Sequence, residues 1–289
     1  MATTMDTLSH KAQRAAFGVA LDMALKHIEK DTSKGLLDVL DISQKFMGDT
    51  FKKETFEAIR AYISNPENKW MQFVNRHLHR LHPNVIKTTA LNLGFEAAFR
   101  GTKTIRKMRQ EHHCNIPWLF LMDPTAACNM RCTGCWAAEY GHNHNLTFEQ
   151  MDDIITQGKE LGIYFYMFTG GEPLVRKKDI LRLCEKHYDV EFHSFTNSTL
   201  IDEEFCQDML RVGNFIPAIS LEGFEEANDS RRGEGVYDKV THAMALLKQH
   251  HLPFGISACY TSVNYKDITS EKFYDLIMDL GAYFVWFFH

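Results

Sequence analysis

Long apolar stretches are missing from this chain of 289 residues. No uninterrupted run reaches the roughly 18–20 residues that a membrane-spanning helix needs. The first residues, Met1-Ala2-Thr3-Thr4-Met5-Asp6, lack the basic-then-apolar order of a secretory leader. A disulfide framework is missing as well: the seven cysteines (114, 128, 132, 135, 184, 206 and 259) are odd in number, and outside one tight cluster they repeat no spacing. Internal repeats are absent. These absences exclude an integral membrane protein of helical type and a disulfide-stapled secreted domain. A soluble, cytoplasmic protein in reducing surroundings is the expectation. With 45% hydrophobic and 24% charged residues the composition is globular rather than disordered. The net charge is −5, and no nucleic-acid partner is expected.

That net charge hides an asymmetry. Residues 1–113 carry 18 Lys plus Arg against 12 Asp plus Glu, whereas the remainder carries 14 against 25. The first part reads as helices joined by short polar breaks. Ala16, Phe17, Val19, Ala20, Met23, Ala24, Leu25 and Ile28 follow a helical stripe, and further helices are expected near 36–47, 51–64, 68–81 and 84–110. The last of these is basic and amphipathic. Such a helix suits an anionic membrane or an acidic partner, but packing on the bundle is the reading preferred, so peripheral membrane contact is not favoured. Residues 1–113 are therefore expected to form an all-α N-terminal domain, acting as a lid or as a surface for substrate or partner.

From about Ile116 the rhythm becomes strand, loop, helix. Strands are expected at 117–122, 163–168, 191–195, 215–219, 254–260 and 283–288, with helices at 147–161, 177–187, 202–211, 236–249 and 270–280. Six strands alternating with helices give an α/β fold, a partial (β/α)6 TIM-like barrel over 114–289. The chain stops at His289, directly after the sixth strand. An edge ending in Phe284-Val285-Trp286-Phe287-Phe288 is a liability in a finished protein, so the core reads as truncated there.

Chemistry in such a barrel collects at the C-terminal ends of the strands. Cys128, Cys132 and Cys135, in Cys128-Asn129-Met130-Arg131-Cys132-Thr133-Gly134-Cys135, follow strand one. Thiolate sulfur suits iron–sulfur clusters and zinc, and three ligands are one short of a closed four-coordinate site. Thr169-Gly170-Gly171-Glu172-Pro173 follows strand two. Its glycines allow close backbone approach, Glu172 can accept hydrogen bonds from an ammonium group, and Pro173 stiffens the turn. Thr196-Asn197 follows strand three and Ser220-Leu221-Glu222-Gly223 follows strand four. Twelve residues past Ser220, Arg232 in Asp229-Ser230-Arg231-Arg232-Gly233 is suited to a carboxylate, with Arg231 as its rival. Asn264, beyond strand five, is a further candidate for the pocket. Cys184, Cys206 and Cys259 lie in apolar-periodic segments and read as core residues. A zinc site completed by His142 and His144 is the alternative from another class. It would make the chain a zinc-stabilised, non-catalytic binding protein, and it explains none of the motifs downstream.

The Cys-x3-Cys-x2-Cys spacing and these motifs, in this order, resemble the radical S-adenosylmethionine (radical SAM) enzymes over roughly residues 116–289. The resemblance implies a 4Fe-4S cluster on Cys128, Cys132 and Cys135, its fourth iron open to the amino and carboxylate groups of S-adenosyl-L-methionine. Reductive cleavage would then yield a 5′-deoxyadenosyl radical that abstracts hydrogen from a substrate the sequence does not name. It implies further that Gly170, Gly171, Glu172 and Pro173 meet the methionine moiety, that Thr196, Asn197 and Ser220 meet ribose or carboxylate, that Glu222 faces cofactor or substrate, and that Arg232 meets the carboxylate. Gly134 stands where the family usually has an aromatic residue, so Trp136 is expected to offer the stacking surface. A flavodoxin or ferredoxin would supply electrons. Peptide maturation and the modification of lipid or isoprenoid chains are the substrate alternatives inside the class.

Overall fold

The helix-only part of the sequence and the part in which strands alternate with helices form two units. The structure is a computed structural model describing residues 4–28, 30–48, 50–137 and 144–289. One unit comprises Met1–Trp118 with Gly158–Tyr164, the other Leu119–Gln157 with Phe165–His289.

The first unit contains α1 (Thr4–Ile28), α2 (Thr32–Met47), α3 (Lys53–Ile63), α4 (Lys69–Leu78), α5 (Pro83–Thr89), a π-helical stretch Ala90–Gly101 and α6 (Thr102–His112). Asp31 caps α2 by accepting from the Lys34 N–H, Asn68 caps α4, and Pro83 opens α5, where its missing N–H costs nothing. Phe17, Leu21, Leu40, Phe56, Met71, Phe95 and Phe99 form the core. Beside it Glu96, wholly buried, is held by Arg14 at 2.9 Å, Arg100 at 2.8 Å and His10 at 2.8 Å. Burial alone would raise its carboxyl pKa; His10 and Arg100 outweigh that and lower it. The segment read as a basic amphipathic helix turns Val85, Phe95, Phe99 and Ile105 inward. Four of its six cations are engaged within the unit: Lys87 on Asp22, Arg100 on Glu96, Arg106 on the Thr50 carbonyl and Arg109 on the Ile116 carbonyl. Gly158–Tyr164 joins this unit through a close backbone approach. A methyl group on Gly162, whose φ is +95°, would lie 2.7 Å from the Gly101 oxygen.

The second unit is built on six parallel strands, β1 (Phe120–Thr125), β2 (Phe165–Gly170), β3 (Glu191–Thr196), β4 (Phe215–Ser220), β5 (Gly255–Cys259) and β6 (Val285–Phe288), hydrogen-bonded in that order. Between them run α7 (Phe148–Leu161), a 3-10 turn Pro173–Arg176 with α8 (Lys177–Lys186), α9 (Glu203–Val212), α10 (Glu225–Arg232), α11 (Val236–Gln249), α12 (Tyr265–Ile268) and α13 (Glu271–Leu280). The sheet is curled. β3 and β6 are three strands apart, which on a flat sheet would separate them by about 14 Å. Yet the Phe195 ring on β3 lies 5.3 Å from that of Phe288 and 6.2 Å from that of Trp286, both on β6. The fold is thus the expected partial barrel, α/β with parallel strands. Besides shifts of about two residues in β2 and the start of β6 and a short unexpected α12, two differences from expectation bear on the site. β1 starts three residues later than read and continues through Pro124. Pairing with β2 skips from Met122 to Thr125, and an edge strand tolerates the missing donor there. α10 was not among the expected helices: Glu225-Glu226-Ala227-Asn228-Asp229-Ser230-Arg231-Arg232 has no apolar stripe, and Asn228 is its one buried residue. Among the described residues no helix is long and apolar enough to cross a membrane.

Candidate active site

Of the residues that the resemblance assigned to cluster or cofactor, all but Pro173 line one cleft of about 550 Å³ at the C-terminal ends of the strands. Pro173 instead starts the 3-10 turn behind it.

The cysteine loop is tied down from three sides. From β2, the Gly171 N–H donates to the Thr125 carbonyl at 2.9 Å and the Glu172 N–H to the Ala127 carbonyl at 2.8 Å. From β3, the Asn197 side-chain amide donates to the Asn129 oxygen at 2.8 Å, and Asn129 donates to the Thr199 hydroxyl at 2.8 Å. From α10, Thr133 and Arg231 exchange backbone and side-chain bonds at 2.8 and 3.3 Å. Glycine is needed at 171 for this packing: a Cβ there would lie 2.2 Å from the Ala127 oxygen and 2.6 Å from that of Ala126. Besides lining the cleft, where a ligand contact was expected of them, these glycines pack on the segment that leads into Cys128. Gly134 has φ +67°, a left-handed conformation that an aromatic residue would adopt only under strain. Trp136, just beyond, is 56% exposed and lines the cleft.

The three thiols share the cleft. Burial raises the Cys128 thiol, and Glu172, Cys132 and Cys135 add to the rise. Burial also raises Cys132, against the pull of Arg232 and Arg231. Loading a metal here therefore displaces protons. Among the described residues no three His, Cys, Asp or Glu side chains are gathered around a point that one metal ion would occupy. His142, weighed as a zinc ligand, lies outside the described residues; His144 lines a neighbouring cavity of about 620 Å³. Three soft donors facing an open cleft, with two guanidinium groups beside Cys132, suit a multi-atom iron–sulfur cluster better than a lone ion.

Glu172 is 1% exposed and already satisfied: it accepts from the Leu174 N–H at 2.9 Å, the Thr196 hydroxyl at 2.7 Å and the Asn197 N–H at 2.7 Å. Burial pushes its carboxyl above the usual range, against those three bonds. Thr196 and Asn197 are likewise occupied in joining the ends of β2 and β3 to the cysteine loop. Ser198, where a Thr-Asn-Gly turn would have glycine, has φ +59°. Ser220 ends β4 and faces the cleft. Glu222 is wholly buried and accepts from Arg231 at 2.7 Å, from two nitrogens of Arg232, and from the Cys259 N–H at 2.8 Å. One carboxylate between two guanidiniums leaves a net positive charge in the wall. The rival arginines thus act as a pair.

Three residues fall differently from the sequence reading. Cys259 lines the cleft from the end of β5, whereas Cys184 and Cys206 are buried as read. Asn264 does not line the cleft; it bonds the Glu222 and Cys259 carbonyls and the Thr261 N–H. Asp123 was not singled out. It lines both cavities, and no hydrogen bond or ion pair engages its carboxylate among the described residues. Its position two residues after Leu121 on β1, alternating into the barrel, is the signal that would have found it.

A parallel barrel with three loop cysteines and a Gly-Gly-Glu-Pro turn at its strand ends defines a class of iron–sulfur barrel protein. The chain belongs to the Radical SAM superfamily, whose profile matches residues 122–280. Members of that superfamily bind a 4Fe-4S cluster and S-adenosylmethionine. Among curated relatives it is 27% identical to the Fe-coproporphyrin III synthase of Methanosarcina barkeri over 57% of this chain and 42% of that one. It is 29% identical to the mycofactocin maturase MftC of Mycolicibacterium smegmatis over 46% and 35%. The chain thus spans less than half the length of these relatives. Among solved structures, SuiB of Streptococcus suis bound to precursor peptide SuiA aligns with a TM-score of 0.55 at 20% identity, over 66% of this chain and 44% of that one.

Proposed function

We propose that this protein is a radical SAM enzyme in which Cys128, Cys132 and Cys135 hold a 4Fe-4S cluster and the cleft beside them receives S-adenosylmethionine. The observation carrying this reading is the convergence of three thiols, the Gly170–Gly171 turn and the Arg231–Arg232 pair on one cleft. When bound, the cluster supplies the electron that splits S-adenosylmethionine to methionine and a 5′-deoxyadenosyl radical able to take hydrogen from a substrate carbon.

The chain's own residues bind and orient. Arg231 and Arg232, held by Glu222, offer the net positive charge that suits the methionine carboxylate. Glu172 acts through Thr196 and Asn197, keeping the cysteine loop in place, and Asp123 is the carboxylate left for a cationic group. Trp136 offers a flat surface for adenine, and Ser220 a hydroxyl for ribose. Phe195, Trp286 and Phe288 line the barrel with apolar surface that excludes water from the reaction. Residues 1–113 are proposed to serve as a domain apart from the core 114–289. A cytoplasmic setting and a flavodoxin or ferredoxin as electron donor complete the reading. For the substrate, a peptide is supported by the likeness to a mycofactocin maturase and to a peptide-bound barrel.

Anaerobic reconstitution tests it. A brown protein absorbing in the near-ultraviolet to violet, forming 5′-deoxyadenosine under dithionite and losing both properties on Cys132→Ala, is the expected result. A colourless protein with one zinc per chain would overturn it.

A further inference from the structure

Beside the cleft lies the second cavity, of about 620 Å³, well inside the range of about 300–1,000 Å³ that small-molecule sites occupy. Asp123, Trp136, Gly170 and Gly171 line both spaces and stand between them, whereas the three loop cysteines line only the cleft. A further wall is the segment 144–146, which runs antiparallel to the end of β1. The Ala126 N–H donates to the His144 carbonyl at 2.8 Å, the Leu146 N–H to the Pro124 carbonyl at 3.1 Å, and the Thr125 hydroxyl to the Asn145 side chain. Arg176 braces that wall, donating to the Leu146 carbonyl at 2.9 Å. The two spaces differ in charge. Arg231 and Arg232 line the cleft; among the described residues lining the second cavity there is no Lys or Arg, and Asp123 is the only carboxylate. Glu172 and Glu222 spend their oxygens on holding the chain together, but Asp123 makes no such bond. Partial burial holds its carboxyl above the ordinary range, with no neighbouring cation to lower it. Gly170, at φ +106°, keeps the space beside it open: a Cβ there would lie 3.2 Å from that of Asp123.

We propose that this cavity is the substrate chamber and that Asp123 receives the ammonium or guanidinium group of a basic substrate. A carboxylate that braces nothing in the chain is free to form a charge-assisted hydrogen bond with a ligand. In a peptide the partner is a lysine or arginine side chain or the amino terminus. Ala137, Leu146 and Trp136 give the aliphatic stem of such a group an apolar surface to lie on. A metal ion is the rival cation. It needs several donors around one point, and among the described residues no three His, Cys, Asp or Glu side chains are so gathered. The chamber's role toward substrate rests on the function proposed above; its affinity for a cation does not.

Saturation-transfer NMR of the full chain at about pH 8, where imidazoles are ordinarily neutral, decides it. The probe is Nα-acetyl-lysine methylamide, and its uncharged norleucine counterpart is the control. The lysine probe should bind about tenfold more tightly than the control. Asp123→Asn should remove that preference without changing circular dichroism, since the carboxylate holds nothing in the fold, and Asp123→Glu should restore part of it. In the reconstituted protein without reductant, saturating S-adenosylmethionine should leave the lysine probe bound. The Cys132→Ala protein should bind the probe as the parent does, so a failure of cluster assembly would count against the cleft and not against the chamber. Equal binding of the two compounds, an undiminished preference in Asp123→Asn, or displacement of the lysine probe by S-adenosylmethionine would overturn the proposal.

Discussion

His193 stands on the inner face of β3 with its ring edge-on to Phe165 at 4.7 Å and stacked on Phe284 at 5.9 Å. Neither ring nitrogen has a hydrogen-bond partner among the described residues, and Glu191 comes no nearer than 3.9 Å. Burial lowers the imidazole pKa from 6.5 to about 4. The folded state therefore resists protonation that the unfolded chain accepts. Stability from this group is complete above pH 6.5 and is lost as pH falls from there toward 4. At about 1.4 kcal/mol per pH unit, the full window of 2.5 units is worth about 3 kcal/mol, of which about 2 are gone by pH 5. His193→Phe removes two unsatisfied nitrogens and keeps an aromatic ring in the stack. Urea unfolding of both proteins, followed by tryptophan fluorescence at about pH 7.5 and about pH 5, isolates the difference. The variant should be as stable as the parent or more so at the higher pH, with the gap in its favour widening by about 2 kcal/mol at the lower. Curves that fall in parallel would mean that the imidazole is reached by water or paired, and the reasoning would be wrong.

Two further predictions concern the cleft. Glu222→Gln leaves two guanidiniums without their anion, so it should cost about 3 kcal/mol in urea unfolding and raise KM for S-adenosylmethionine more than it lowers kcat; unchanged KM would show that the arginine pair holds nothing. Gly171→Ala forces a Cβ against the Ala127 carbonyl, and reconstituted iron content should drop well below that of the parent even where the variant folds; full iron content would show that the loop yields easily.

The strands were legible where apolar runs end in turn-forming residues, as at Glu191–Thr196 and Phe215–Ser220, and the observed ends there match the reading within one residue. β1 shifted because Asp123-Pro124 looks like a turn locally. The pairing that carries the chain through Pro124 comes from β2, more than forty residues away. α10 was invisible because it has no apolar stripe: its contacts are ionic, Arg231 and Arg232 binding Glu222 nine and ten residues before them. The cysteine spacing and the Gly-Gly-Glu-Pro turn are local and could be read directly. What Glu172, Thr196 and Asn197 bond to within the chain is set by neighbouring strand ends, so their bracing of the cysteine loop could not be read from the sequence. The same lack of tertiary information hid Cys259 among core residues and left Asp123 unnoticed.

The tethers on the cysteine loop bear on the order of events during maturation. A zinc finger gathers its ligands out of a disordered chain and spends much of the metal's affinity on ordering them. Here strand ends and α10 have already fixed the segment from Thr125 to Thr133 by bonds that need no inorganic partner. On the proposed function, iron enters after the chain has collapsed, and substituting a ligand such as Cys132 empties the site without unfolding the barrel.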